Sequence, residues 1–198
     1  MWADYQTNGY GRQGHKWVCS EQKGTLFSVF FHKQAGNLNA APIAIAIELS
    51  SILHSLFGFE FYIKLPNDIY LTGENTGKIG GIIIENIEKG CIIGIGINTK
   101  KNKAFGSASF EDIGIDINNY DIIDAVSRKI FVFRNAVERP RAVGLQNFKK
   151  IMFLEETVSA DTEEGRRRGK LRGITGTGSV IIGDGQYRVI NNLRKCNE

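Results

Sequence analysis

The chain has 198 residues, 42% hydrophobic and 23% charged, with 25 Lys and Arg against 21 Asp and Glu. That is enough apolar material for the core of one domain with a small appendage, and it excludes disorder as the main state. The net charge of +4 suits an acidic partner or a phosphorylated substrate but is too weak for a dedicated nucleic-acid binder.

Residues 1–17 are polar and rich in glycine, with no signal-peptide character, and read as a flexible loop. TLFSVFFH, residues 25–32, is built from β-branched and aromatic residues and predicts a strand. Pro42 suits a first helical turn and Gly58 a C-terminal stop, so the apolar run between them predicts a deeply packed helix. That run carries Glu48, Ser50, Ser51 and His54 and, over residues 43–57, is short for a bilayer span. A strand is expected in residues 59–68, ended by Pro66. A hairpin follows through IYLT, GENTG and KIGGIIIENI, then a turn at residues 88–90 and the strand CIIGIGIN. Helical spacing of apolar residues predicts helices over 121–133 and 144–153, separated by Pro140. From about Leu154, short β-prone runs broken by glycine predict a small antiparallel sheet, with Arg166-Arg167-Arg168 in an exposed turn. Cys19, Cys91 and Cys196 are too scattered for a disulfide framework or a zinc site and read as reduced, cytoplasmic thiols. His32 and His54 read as structural.

Residues 9–14, GYGRQG, satisfy G-x-G-x-x-G. A dinucleotide site needs a helix after that loop and an acid about 20 residues on, and neither is present. What remains is a glycine loop carrying Arg12, His15 and Lys16, whose amides and guanidinium can approach an anion closely.

Four strings in one order give that loop a context: QTNGYGRQGHKW, then KLPNDI at 64–69, KIGGIIIE at 78–85 and IGIGIN at 93–98. Together they resemble the signatures of the biotin protein ligase family, strongly over residues 3–100 and weakly in the C-terminal segment. The resemblance implies an α/β (α+β) fold: a mixed sheet flanked by helices, of the class II synthetase-like biotin/lipoate ligase type. A catalytic domain would span residues 1–153 and a small SH3-like β domain residues 154–198. The implied enzyme joins biotin to a lysine of a biotin carboxyl-carrier domain through biotinyl-5′-AMP, using ATP and Mg²⁺. Its first step brings a carboxylate onto a negative α-phosphate, which calls for charge neutralisation and positioning.

By the same resemblance, Arg12, Lys78 and Asp68 are the expected catalytic residues. Gln6, Gly9, Gly11, Gly14, His15, Trp17, Gly81, Gly94 and Gly96 would bind biotin and adenylate with them, and Gly80 would leave room beside the strand. Asn67, Asp68 and Asn98 would face ATP-Mg²⁺, with no direct protein cluster for a metal. A carrier protein is the expected partner, a homodimer is compatible, and neither membrane nor nucleic acid is expected. The sequence departs from the pattern at Tyr10 and His15, where many members carry other residues (arginine at the first), and at Leu65, which replaces a tryptophan. The family's catalytic domain usually starts with an earlier strand and helix carrying Ser-Thr-Asn, so the resemblance implies an N-terminally truncated domain. The helix-turn-helix of repressor members has no counterpart, and no operator binding is expected. Two alternatives stay open: a lipoate ligase or lipoyl/octanoyl transferase of the same fold, whose Arg-Arg-x-Ser-Gly-Gly-Gly loop this chain lacks, and an impaired ligand- or carrier-binding remnant.

Overall fold

A computed structural model of the chain describes residues 1–101, 106–138 and 150–196. The first sheet contains β1 (Trp2–Ala3), β2 (Gly24–Phe31), β3 (Tyr62–Lys64), β4 (Asp68–Leu71), β5 (Gly77–Ile87) and β6 (Gly90–Asn98). Their order is β1-β2-β6-β5-β4-β3, with every neighbouring pair antiparallel. The sheet is mixed only through isolated parallel bridges, Ile63 to Ile151 and Lys78 to Ser107. The Leu65–Pro66 peptide, between β3 and β4, is cis.

One face of this sheet is greasy and buried. Strand alternation sends Ile93, Ile95 and Ile97 of β6 to that face, with Ile82 of β5. Helix α1 (Ala40–Phe57) packs there against β5 and β3. It is apolar almost all round, and twelve of its residues are buried. Each buried isoleucine contributes about 1.5–3 kcal/mol. By length and composition α1 is apolar enough to cross a membrane, yet 67% of that stretch is buried inside the protein. It starts ahead of Pro42 because Asn37 Oδ1 accepts from the Asn39 and Ala40 amides at 2.8 and 3.2 Å, satisfying donors of the first turn. Gly58 ends it in the left-handed region, φ 73°.

The helix expected over residues 121–133 is two helices, α2 (Asn119–Arg128) and α3 (Ile130–Glu138), broken at Lys129. α2 buries Ile122 and Val126 and lies against β2; α3 buries Phe133 and Val137 and lies against α1. The chain turns between them because the two halves have different neighbours, which periodicity cannot register. Most of the helix expected over 144–153 lies outside the described residues; its end, 150–153, forms turns and a bridge.

The C-terminal strands β7 (Thr157–Thr162), β8 (Gly165–Ile174), β9 (Val180–Ile182), β10 (Gly185–Tyr187) and β11 (Val189–Lys195) form an antiparallel sheet ordered β10-β9-β8-β7-β11. Arg166, Arg167 and Arg168 are not in a turn; they lie on β8, paired with Asp161, Ala160 and Ser159 of β7. Cross-strand charge explains this placement: Arg166 Nε meets Asp161 Oδ1 at 2.9 Å, and the Arg167 guanidinium stacks 5.2 Å from the Tyr187 ring.

The second sheet meets the start of α1. Asn37 Nδ2 donates to the Thr177 carbonyl at 3.1 Å. Gly178 has φ +83°, and a Cβ there would lie 2.6 Å from the Ala40 backbone. Gly178→Val combines a left-handed backbone with a clash against a helix end that cannot yield. It is expected to lower stability by about 2–4 kcal/mol, read as a lower urea midpoint at unchanged slope.

Candidate active site

The opposite face of the first sheet forms an open cleft of about 500 Å³. Its floor follows from register. Leu26, Gly96 and Gly81 stand side by side across β2, β6 and β5. The next row is Ser28, Gly94 and Ile83, and the third is Phe30, Ile92 and Glu85. The first two rows are a trough, because three of their six positions carry no side chain. The third row fills with large side chains and ends it.

Lys78 reaches this face through a bulge. Asp68 pairs with Gly81 and Ile69 with Gly80, but Tyr70 pairs with Lys78, leaving Ile79 as the extra residue. Strict alternation would place Lys78 on the side opposite Gly81. The bulge turns Ile79 into the core, fully buried, and brings Lys78 onto the cleft side with Asp68 and Gly81. Lys78 Nζ then lies 2.7 Å from Asp68 Oδ1 and 5.4 Å from the centroid of the Trp17 ring. Gly81 makes room for the pair: a Cβ there would lie 3.2 Å from Lys78 Nζ and 3.3 Å from Asp68 Oδ1.

Trp17 lies over Gly96, where a Cβ would come within 2.5 Å of its ring. Its buried indole N–H finds no acceptor among the described residues. The glycine loop is a small hairpin rather than an open coil. Tyr10 bridges Lys16, the Gly11 amide donates to His15 O at 2.6 Å, and the Trp17 amide donates to Gly9 O at 2.9 Å. A single 3-10 turn, Arg12–Gly14, forms the tip. Partial burial lowers the pKa of Arg12 from its ordinary value; the Asp68 charge opposes that shift and the Arg188 charge adds to it. Burial likewise lowers Lys64, with Asp68 opposing. Tyr70 is pushed up to about 12, by burial first and then by Asp68, so it stays a neutral phenol. Asp68 is thus the negative centre among Arg12, Lys64 and Lys78.

Gln6, Gly11, Arg12, His15, Trp17, Asn67, Asp68, Lys78, Gly81, Gly94 and Gly96 line the cleft together. Asn67 is also tied down, donating from Nδ2 to Ile82 O at 2.8 Å. Four expected residues stand elsewhere. Gly9 lies behind the loop, where a Cβ would meet Trp17 O at 2.6 Å. Gly14 sits at the open tip with φ +73°. Gly80 approaches Gly96 O. Asn98 is buried and donates from Nδ2 to the Lys78 and Ala108 carbonyls, both at 3.2 Å; it braces the strand that carries Lys78. Conversely, Leu26, Ser28 and Ile83 line the cleft without having been singled out, and Tyr10, noted only as a departure from the family pattern, lines it too. Alternation in TLFSVFF groups Leu26 with Ser28, but nothing local says which face the cleft occupies.

A cationic trough with one central carboxylate is built to hold an elongated anion and to neutralise charge as a second anion approaches. Among the described residues no three His, Cys, Asp or Glu side chains group to hold a metal ion. Comparison with known proteins places this geometry. The profile described as the biotin/lipoate A/B protein ligase family matches residues 1–102. The bifunctional ligase/repressor BirA of Escherichia coli is 25% identical, over 91% of this chain and 60% of its own length, and so is that of Salmonella typhimurium. The chain thus spans 60% of the length of these curated relatives. A biotin protein ligase from Aquifex aeolicus, solved with biotin and ATP, superposes with a TM-score of 0.83 at 27% identity, covering 98% of this chain and 88% of that one.

Proposed function

Because the chain belongs to the biotin/lipoate A/B protein ligase family, we propose that it joins biotin to a lysine of a biotin carboxyl-carrier domain through biotinyl-5′-AMP. The observation that carries this reading is the Lys78–Asp68 pair, brought by the bulge to the edge of the glycine-floored trough and roofed by Trp17. Biotin enters the cleft beside Trp17, whose ring already covers Gly96, and reaches toward Lys78. Its carboxylate oxygen attacks the α-phosphorus of ATP and pyrophosphate leaves. Lys78 and Arg12 flank the two anions and lower their repulsion. Mg²⁺ enters on the triphosphate as part of the substrate, since Asp68 is already paired with Lys78. The carrier lysine amine then attacks the acyl carbon, AMP leaves, and Asp68 is placed to accept the amine proton. In this reading residues 1–153 are the catalytic domain and 154–198 a small SH3-like domain.

The test is pyrophosphate release by the folded chain with biotin, ATP and Mg²⁺, followed by the mass of an added carrier domain. The expected result is one pyrophosphate per site in a burst, then a carrier heavier by one biotinyl group. Modification by lipoate and not biotin would move the chain to the sister activity. Folded protein releasing no pyrophosphate with either acid would leave only a binding remnant.

A further inference from the structure

Tyr10 stands where many family members carry arginine. Its phenol donates a 2.9 Å hydrogen bond to Glu85 Oε2, 75 residues away in sequence. Glu85 belongs to the third row of the cleft face, beside Ile92. The bond therefore ties the first arm of the glycine loop to the closed end of the trough. The second arm is tied by Trp17, through its amide to Gly9 O and its ring over Gly96. Between these anchors the loop buries little of its surface. Tyr10, Gln13, Gly14, His15 and Lys16 are all exposed, and Gly11 and Arg12 only half-buried. A segment without a core of its own opens locally at low free energy, so one added tie changes its open fraction directly.

We propose that Tyr10 is a positioning residue whose bond to Glu85 latches the glycine loop over the trough, keeping Arg12 close to Asp68 and slowing escape of an activated acyl-adenylate. The last consequence rests on the ligase reading above; the latch itself does not. Glu85 raises the phenol's pKa above its ordinary value, by the hydrogen bond first and by charge second, so Tyr10 remains a neutral donor at physiological pH. An arginine at the same position would offer this carboxylate an ion pair in place of the phenol's hydrogen bond.

The loop carries its own reporters, since trypsin cuts after Arg12 and Lys16. In the ligand-free full chain, Tyr10→Phe and Glu85→Gln are each expected to speed loop cleavage about three- to tenfold, the range for an exposed hydrogen bond to a charged group. The double variant should be no faster than either single one. Cleavage after the exposed Lys129, between α2 and α3, should be unchanged and so report that the fold is intact. With biotin and ATP, adenylate release from Tyr10→Phe should quicken by a similar factor and slow again in Tyr10→Arg. Equal loop cleavage in Tyr10→Phe and the unaltered chain would overturn the latch, as would additive effects in the double variant. An unaltered chain that forms no adenylate counts against the ligase reading alone, and the latch then stands or falls on the cleavage rates.

Discussion

Lys78→Ala is expected to reduce adenylate formation by about a thousandfold while leaving the chain folded. The ammonium is the nearest cation to Asp68, 2.7 Å away, and stands at the edge of the trough where biotin carboxylate and α-phosphate must meet. Removing it leaves two anions approaching each other without the cation at the trough edge. Its structural share is small. The Lys78 and Asp68 side chains are 31% and 22% exposed, and a partly solvated pair of this kind stabilises a fold by about 1 kcal/mol or less. Urea unfolding should therefore move little while single-turnover pyrophosphate release collapses. Lys78→Met, which keeps the aliphatic stem, separates charge from packing and should be as inactive as alanine. Near-normal turnover in either variant would remove Lys78 from the chemistry and with it the site as drawn.

The second large effect is expected at Gly96. A Cβ there would lie 2.5 Å from Trp17 Cζ2 and 2.7 Å from Cε2. The indole is rigid, so Gly96→Ala forces the whole ring off the floor, and with it the arm of the loop that Trp17 secures to Gly9. Forced repacking of this kind costs about 1–3 kcal/mol and displaces a side chain that lines the cleft beside Lys78, so biotin should bind about ten- to a hundredfold more weakly. Equilibrium titration of biotin, with Trp17 fluorescence reporting the displaced ring, measures both parts. Gly94→Ala is the internal comparison. Its Cβ would meet the Ile83 Cγ2 methyl, 2.7 Å away, which yields by a change of one side-chain torsion rather than by displacement of a whole indole. It should do less harm than Gly96→Ala, and the reverse order would mean that Trp17 does not roof the trough.

Much of the site was legible because its residues come in short local strings. QTNGYGRQGHKW, KLPNDI and KIGGIIIE each keep their residues together in space, and eleven of the expected residues line one cleft. Asn98 looks like a ligand residue because it ends IGIGIN, yet its amide is used to brace the Lys78 and Ala108 carbonyls. Tyr10 looks like a lost cation, yet it bonds to a carboxylate 75 residues away. Arg166–Arg168 look like a solvated turn until Asp161 and Tyr187 stand opposite. Glu85 is far from Tyr10 in sequence, whereas Asp161 is only five residues from Arg166 and is set opposite it by the β7–β8 pairing, which a propensity does not register.

By itself, the sequence determined the apolar runs that build the core, the succession along the chain of α1 and of the longer strands around it, the position of the glycine loop and the family to which these belong. These are local matters: alternation of period two, apolar runs, and glycine where backbone must turn or be approached. Tertiary structure alone decided which face of the sheet is the trough and which residues stand in it. One extra residue in β5, Ile79, reverses the alternation and carries Lys78 from the core side to Asp68. A bulge arises where two strands of unequal local length must pair, so it belongs to the pairing of β4 with β5 and to neither strand's sequence.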